Sequence, residues 1–237
     1  MIDPGFMTVL AVGFVLGMKH ALDADHVVAV STIVSKDRSF LGSSLVGLFW
    51  GIGHTLTLLG VGFVILMLKI VIPDKVALGM ELAVGIMLVF LGGVVAAGLI
   101  REHLHLHPHR HEEGETHLHL HTHPPVETHA HSHAIRRGYR SMAVGMVHGL
   151  AGSAALMFLV VPGLHSTAER MAYIIIFGAG SMLGMMLVTM VISLPFVYTG
   201  MRFNRLSRIM TAVAGIASIG LGTILIYEIG FVKGLFL

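Results

Sequence analysis

The sequence predicts an all-α polytopic membrane protein whose six transmembrane helices form two inverted three-helix repeats. Composition is the first reason: of 237 residues, 55% are hydrophobic and 12% charged, and the mean hydropathy is +0.85. Soluble domains carry about 25% charged residues. The second reason is a set of six apolar segments, each long enough for a bilayer core, which takes about 20 residues. The third is a histidine motif that occurs once in each half of the chain.

Composition also excludes several function classes. The chain has no cysteine, which removes disulfides, thiolate nucleophiles, iron–sulfur clusters and cysteine-based zinc sites. A net charge of +2 is too small to indicate nucleic-acid binding. No metalloprotease or phosphate-binding motif is present, so we do not expect an enzyme. Histidine is the exception, because its 17 copies outnumber the 15 lysines and arginines.

The six segments divide the chain into three parts. They cover 6–34, 41–72, 76–100, 139–163, 171–200 and 206–232. Residues 1–100 form a first three-helix repeat that carries the metal motif, 101–138 a histidine-rich loop, and 139–237 a second three-helix repeat.

The loop between the repeats has low complexity. Residues 101–138 contain 12 histidines, many of them alternating with other residues, together with prolines and acids. Such a segment cannot bury a core, so we expect it to be disordered without metal.

Basic residues indicate the orientation in the membrane. Six spans place both termini on one side, together with four basic residues: Lys69, Lys75, Arg170 and Lys233. The other side carries ten: Lys36, Arg38, Arg101, Arg110, Arg136, Arg137, Arg140, Arg202, Arg205 and Arg208. Positive loops stay inside. The bias therefore predicts a multi-pass membrane protein with its termini outside and the histidine-rich loop in the cytoplasm.

The repeat is visible around two histidines. Gly17-Met18-Lys19-His20-Ala21-Leu22 matches Gly145-Met146-Val147-His148-Gly149-Leu150 at Gly, Met, His and Leu. A second similarity links Phe49-Trp50-Gly51-Ile52-Gly53-His54 with Phe177-Gly178-Ala179-Gly180-Ser181. Three spans per half is an odd number, so the second half enters the membrane the other way round. Proteins built this way bind substrate near the bilayer midplane, where the repeats meet.

Polar residues gather at that depth. They are His20, Asp23, Asp25 and His26 near the middle of the first segment, and His54 and His148 near the middle of their own segments. A charged side chain there costs at least about 2.5–3.5 kcal/mol, which favours a functional role. Imidazole nitrogen and carboxylate oxygen suit Ni²⁺, Co²⁺ or Zn²⁺. These six residues are the candidate metal site.

Two arrangements of the motif remain open. On an unbroken helix, Asp25 points away from the face that carries His20 and His26, because each residue advances by about 100°. Either the helix is interrupted here, or Asp25 serves a second partner such as His54. In a purely structural alternative, Lys19 and Asp23 form an ion pair at i,i+4 spacing.

The motif resembles that of a known family. His20-Ala-Leu-Asp-Ala-Asp25-His26 is similar to the His-x4-Asp-His signature of the nickel/cobalt transporter family, and Gly51-Ile52-Gly53-His54-Thr55 resembles that family's second histidine motif. The chain looks like the shorter, urease-accessory type of nickel permease. It departs from the family at Lys19, where arginine is usual. We also expect fewer spans than in the family, without the span that precedes the motif helix.

The resemblance implies a transporter of nickel or cobalt, with His20, Asp25 and His26 essential and His54 contributing. Uptake is favoured over efflux. Ni²⁺ or Co²⁺ is the substrate and no prosthetic group is expected; membrane lipid and nickel-enzyme maturation proteins are the implied partners. The alternative is a membrane protein that sequesters or senses metal through its histidine-rich loop.

Overall fold

The computed structural model describes residues 4–35, 37, 39–103, 106–110, 116–120, 131–160, 164 and 166–237. In chain order the elements are α1 (Pro4–His20), α2 (Ala24–Val34), α3 (Phe40–Leu68), α4 (Asp74–His103), β1 (Leu106–Arg110), β2 (Thr116–Leu120), α5 (His131–Val160), α6 (Thr167–Arg202) and α7 (Asn204–Tyr227). A π-helical turn, Glu228–Val232, follows α7.

The helices have the length and composition of membrane spans. Within the described residues, four pass this test: Phe40–Leu68, Asp74–Arg101, Thr167–Arg202 and Asn204–Val232. The bent pair of α1 and α2 makes a fifth candidate. Helix α5 overlaps the predicted segment 139–163, although only some of its side chains are described. The chain is therefore a helical membrane protein, and the count of six spans stays a prediction.

The structure differs from the prediction within 101–138. Helix α4 continues to His103 and α5 begins at His131, so helix occupies both ends of the predicted loop. Between them, β1 and β2 pair antiparallel in a register that runs from Leu106–Leu120 to Arg110–Thr116. Alternating histidines have the two-residue period of a strand, which accounts for this pairing. The rest of the predicted disordered loop, 104–105, 111–115 and 121–130, lies outside the described residues.

Glycines let the long helices approach backbone to backbone. A Cβ atom at Gly17 of α1 would collide with the carbonyl oxygen of Phe177 in α6. A Cβ atom at Gly145 of α5 would collide in the same way with the carbonyl oxygen of Trp50 in α3. Small residues at such crossings are typical of membrane helices, whose association depends on close packing rather than on the hydrophobic effect. These glycines hold α1 against α6 and α3 against α5.

At the same two helix crossings, a second pair of glycines, on α6 and α3, lies against the backbone of α1 and α5. A Cβ atom at Gly180 of α6 would collide with the carbonyl oxygen of Phe14, and one at Gly53 of α3 with that of Met142. Phe14 and Met142 each lie three residues before the glycine of the first pair on their own helix. The two crossings therefore repeat each other contact by contact.

Hydroxyl groups add hydrogen bonds between helices. Ser141 of α5 donates to the carbonyl oxygen of Val46 in α3 at 2.7 Å, and Ser218 of α7 donates to that of Leu88 in α4 at 2.7 Å. All four residues are buried. Such bonds are worth about 0.6 kcal/mol each in membranes, so they supplement the packing at the glycines.

Candidate metal centre

The first predicted segment is broken at its histidine motif. Helix α1 ends at His20 and α2 begins at Ala24, with a bend of 52° between them. Two hydrogen bonds close the turn: the Leu22 N–H donates to the Lys19 carbonyl at 2.9 Å, and the Asp23 N–H donates to the His20 carbonyl at 3.1 Å. The helix is thus interrupted, which is one of the two arrangements that the motif allows. The break changes the face that the following residues present.

Three imidazoles meet beside this break. The ring centroids of His20 and His26 lie 4.5 Å apart, and those of His54 lie 5.3 Å from His20 and 5.4 Å from His26. Each ring offers one nitrogen, and the three nitrogens lie within 4.8 Å of one another. His54 is the middle residue of α3, so the group lies halfway along that helix. Three imidazole nitrogens at this separation can surround a divalent transition-metal ion after a small adjustment.

Asp25 joins the break to α5. One carboxylate oxygen accepts from the His26 backbone N–H at 3.0 Å and lies 3.2 Å from His26 Nδ1. The other lies 2.8 Å from Nε2 of His148. Asp25, His26 and His148 form a second group whose ligand atoms lie within 4.8 Å of one another. The second partner of Asp25 is therefore His148, and not His54 as the sequence suggested.

The centre is buried but incompletely hydrogen-bonded. Nε2 of His26, both nitrogens of His54 and Nδ1 of His148 have no hydrogen-bond partner in the described part of the chain. All three side chains are at most 2% exposed. A buried polar atom without a partner costs roughly 1–3 kcal/mol. Four such atoms lie in one cluster, which makes it the candidate ligand site of the described residues.

Two aromatic rings border the imidazoles, and neither was among the predicted site residues. Trp50 stacks on His26 with centroids 6.1 Å apart, and it lies 5.7 Å from His148. Phe177 of α6 lies 5.8 Å from His20. Trp50 is the one tryptophan of the chain and lies four residues before His54, which is a signal that the sequence offered. Apolar walls strengthen the attraction between a cation and its ligands, because they lower the local dielectric constant.

Asp23 and Lys19 lie on the exposed side of the centre. The Asp23 carboxylate lies 2.7 Å from Nδ1 of His20, and the Asp23 side chain is 53% exposed. Lys19 is exposed as well, but it forms no ion pair with Asp23. Because the chain turns after His20, Asp23 is directed to the histidine instead. The structure thus brings five of the six predicted residues into two overlapping groups and attaches the sixth, Asp23, to the outer member of one of them.

Comparison with known proteins places the chain in a family. It is 38% identical over 230 residues to the urease accessory protein UreH of Bacillus sp. (strain TB-90), which covers 97% of this chain and 95% of that protein. The chain belongs to the UreH family of urease accessory proteins. It is therefore an accessory protein and not an enzyme, as the sequence predicts.

A more distant relative is a plant protein. The chain is 27% identical over 223 residues to the chloroplast protein FOR GROWTH AND FERTILITY 1 of Arabidopsis thaliana, which covers 92% of this chain and 58% of that protein. No family model matches the chain, and no solved structure matches it.

Proposed function

We propose that this chain transports Ni²⁺ or Co²⁺ across the plasma membrane of a bacterium or archaeon, in the direction of uptake. The observation that carries the proposal is the cluster of buried imidazole nitrogens that lack a hydrogen-bond partner, halfway along apolar helices. Buried polar atoms in proteins almost always have a hydrogen-bond partner. We therefore propose that a metal ion binds these nitrogens during part of the transport cycle.

The donor set supports this choice of substrate. We propose His20, Asp25, His26, His54 and His148 as the groups that hold the ion. Neutral nitrogen donors with one carboxylate suit Ni²⁺, Co²⁺ and Zn²⁺, whereas Mg²⁺ favours oxygen donors and retained water. Asp23 is the outermost group: its carboxylate lies 2.7 Å from Nδ1 of His20, and we propose that the ion binds Asp23 first and His20 next.

The family supports the direction and the partners. The relative of this chain is named as a urease accessory protein, and the sequence resembles the urease-accessory type of nickel permease. An accessory role is served by bringing metal into the cell. We propose that nickel-enzyme maturation proteins receive the ion on the cytoplasmic side. A sequestering or sensing role through the histidine-rich loop leaves the buried cluster without a purpose.

We further propose that residues 1–100 and 139–237 are inverted repeats. The support is the reciprocal packing: α1 lies on α6 as α5 lies on α3, and a glycine meets a carbonyl oxygen from each side of both crossings. His20 and His148 occupy corresponding places in the two repeats. Inverted repeats permit alternating access, in which the two halves exchange roles around a fixed central site.

Metal flux into proteoliposomes tests the function. We expect the purified full chain to admit external Ni²⁺ and Co²⁺ to a trapped fluorescent chelator, and Mg²⁺ at the same concentration to neither enter nor compete. Liposomes without protein provide the control. If the protein binds the metals but the fluorescence of the trapped chelator does not change, the transport proposal is overturned in favour of sequestration.

The orientation is testable because the chain has no native cysteine. We expect a cysteine at position 122, which lies outside the described residues, to be shielded from an impermeant thiol reagent in intact cells and labelled after lysis. The matched control is Val71→Cys, because Val71 is 86% exposed in the connection between α3 and α4 and lies on the other side in the predicted topology. The reverse labelling pattern would place the histidine-rich loop outside.

A further inference from the structure

We propose that the metal centre consists of two overlapping subsites that share His26 and hold one ion alternately. The imidazole subsite is His20, His26 and His54; the carboxylate subsite is Asp25, His26 and His148. This inference rests on the proposed transport function and gives it a path. It assigns the ion two successive positions in place of one six-residue site.

The grouping of the ligand atoms supports two positions. In each subsite the three ligand atoms lie within 4.8 Å of one another, while His54 and His148 belong to different groups and have ring centroids 6.2 Å apart. Metal–imidazole bonds are about 2.0–2.1 Å long, so two ligands of one ion lie at most about 4.2 Å apart. A small inward movement closes either subsite around an ion. Closing both on the same ion requires a larger one, because the five residues do not form one group within 4.8 Å.

The two nitrogens of His26 explain why the subsites are occupied in turn. Nδ1 lies 3.2 Å from the Asp25 carboxylate, whereas Nε2 is buried without a partner. A carboxylate only accepts hydrogen bonds, so His26 donates from Nδ1 and has its lone pair on Nε2. We assign Nε2 to the imidazole subsite and Nδ1 to the carboxylate subsite. A neutral imidazole has one lone pair at a time, so an ion bound at one nitrogen excludes an ion at the other.

The described arrangement is therefore set for the imidazole subsite. Asp25 orients His26 from behind, as carboxylates commonly do for histidines that bind a metal through the opposite nitrogen. Each subsite also has its own exposed member: the side chain of His20 is 22% exposed and that of Asp25 is 31% exposed, while His26 between them is buried. Each subsite thus has one member that protein does not fully cover, which entry at one subsite and exit at the other require.

Transfer between the subsites balances within the cluster. The ion releases His20, His54 and Nε2 of His26, and it binds Asp25, His148 and Nδ1 of His26. His26 ends with its proton on Nε2 instead of Nδ1. His148 ends with its proton on Nδ1, which is buried and has no partner in the described residues, instead of Nε2. The two nitrogens of one ring cannot exchange a proton directly, so water that accompanies the ion takes the proton from one nitrogen of each ring and returns it to the other. No net proton is gained or lost.

Cysteine reporters in the full chain test the proposal, because the protein has no cysteine of its own. A thiolate bound to Co²⁺ gives a charge-transfer absorption that the loop histidines cannot produce. We expect this absorption at saturating Co²⁺ in both His54→Cys, which reports the imidazole subsite, and His148→Cys, which reports the carboxylate subsite. Helix content and size-exclusion profile check the fold. If His54→Cys does not fold, His20→Cys replaces it as the reporter, and His54→Ala then replaces His20→Ala as the ligand removal described next.

The second arm of the test removes a ligand from one subsite only. Adding His20→Ala should raise the absorption of His148→Cys by about twofold or more, because the ion population moves from the imidazole subsite to the carboxylate subsite. When the reporter is His54→Cys, the same substitution should lower it. A decrease in both backgrounds means a single site: it overturns the two-subsite proposal and leaves transport standing. No thiolate absorption in any variant, with wild-type flux intact, means that the ion bypasses the cluster and overturns the proposed path altogether.

Discussion

Replacing Asp25 with asparagine is expected to reduce Ni²⁺ flux at least about 100-fold, which is the upper range for losing a group that orients a metal-binding histidine. The carboxylate oxygens of Asp25 face His26 at 3.2 Å and His148 at 2.8 Å. Asparagine has one accepting oxygen and one donating NH₂ group. The NH₂ group would face one imidazole and reverse its tautomer. Asparagine also lacks the charge that offsets a dication in a low-dielectric site.

His26→Gln should reduce Ni²⁺ flux at least as much as Asp25→Asn does, because His26 belongs to both groups of ligand atoms. The matched control is Asp74→Asn, which makes the same chemical change in the exposed first turn of α4 and should leave flux unchanged. The measurement is initial flux in proteoliposomes, normalised to folded protein by size exclusion. Near-normal flux in Asp25→Asn and His26→Gln together would remove the buried cluster from the transport path.

The sequence was sufficient to predict features that depend on nearby residues. Apolar length predicted the helices that qualify as spans. The helical positions of His20, Asp25 and His26 left two arrangements open, an interrupted helix or a second partner for Asp25. The structure has both, because the helix breaks at 21–23 and Asp25 contacts His148. The pairing of β1 with β2 in the histidine-rich segment was not among these predictions. The prolines and acids led to an expectation of disorder, and the two-residue period of the histidines was not interpreted as a strand.

Features that depend on packing between distant segments could not be predicted. Asp25 contacts His148 across 123 residues of chain, and which helix faces the break is decided by glycine contacts rather than by the motif itself. Phe177, which lies on α6, borders the cluster for the same reason. The sequence also offered an ion pair of Lys19 with Asp23, which presumes an unbroken helix. Once the chain turns after His20, that spacing no longer brings the two charges together.

The reciprocal helix crossings lead to a second large effect, on stability. Gly17→Ala and Gly145→Ala should each lower the free energy of unfolding by about 1–3 kcal/mol, the usual cost of overpacking. Each new methyl group meets a backbone carbonyl oxygen, which cannot move aside as a flexible side chain can. The two substitutions lie at corresponding places of the two proposed repeats. If the repeats are inverted copies, their effects should agree closely, although α1 and α5 differ in sequence around them.

Gly60→Ala on α3 is the matched control, because a Cβ atom there meets nothing within 4 Å. It should leave stability unchanged or raise it by about 0.5–1 kcal/mol, since alanine favours helix over glycine. The measurement is the unfolding midpoint of detergent-solubilised protein, followed by loss of helix content. The double variant adds a sharper criterion: the crossings are separate, so the two losses should sum within about 0.5 kcal/mol. A large loss at Gly17 with none at Gly145 would mean that only one crossing is closely packed, and the inverted-repeat proposal would fail with it.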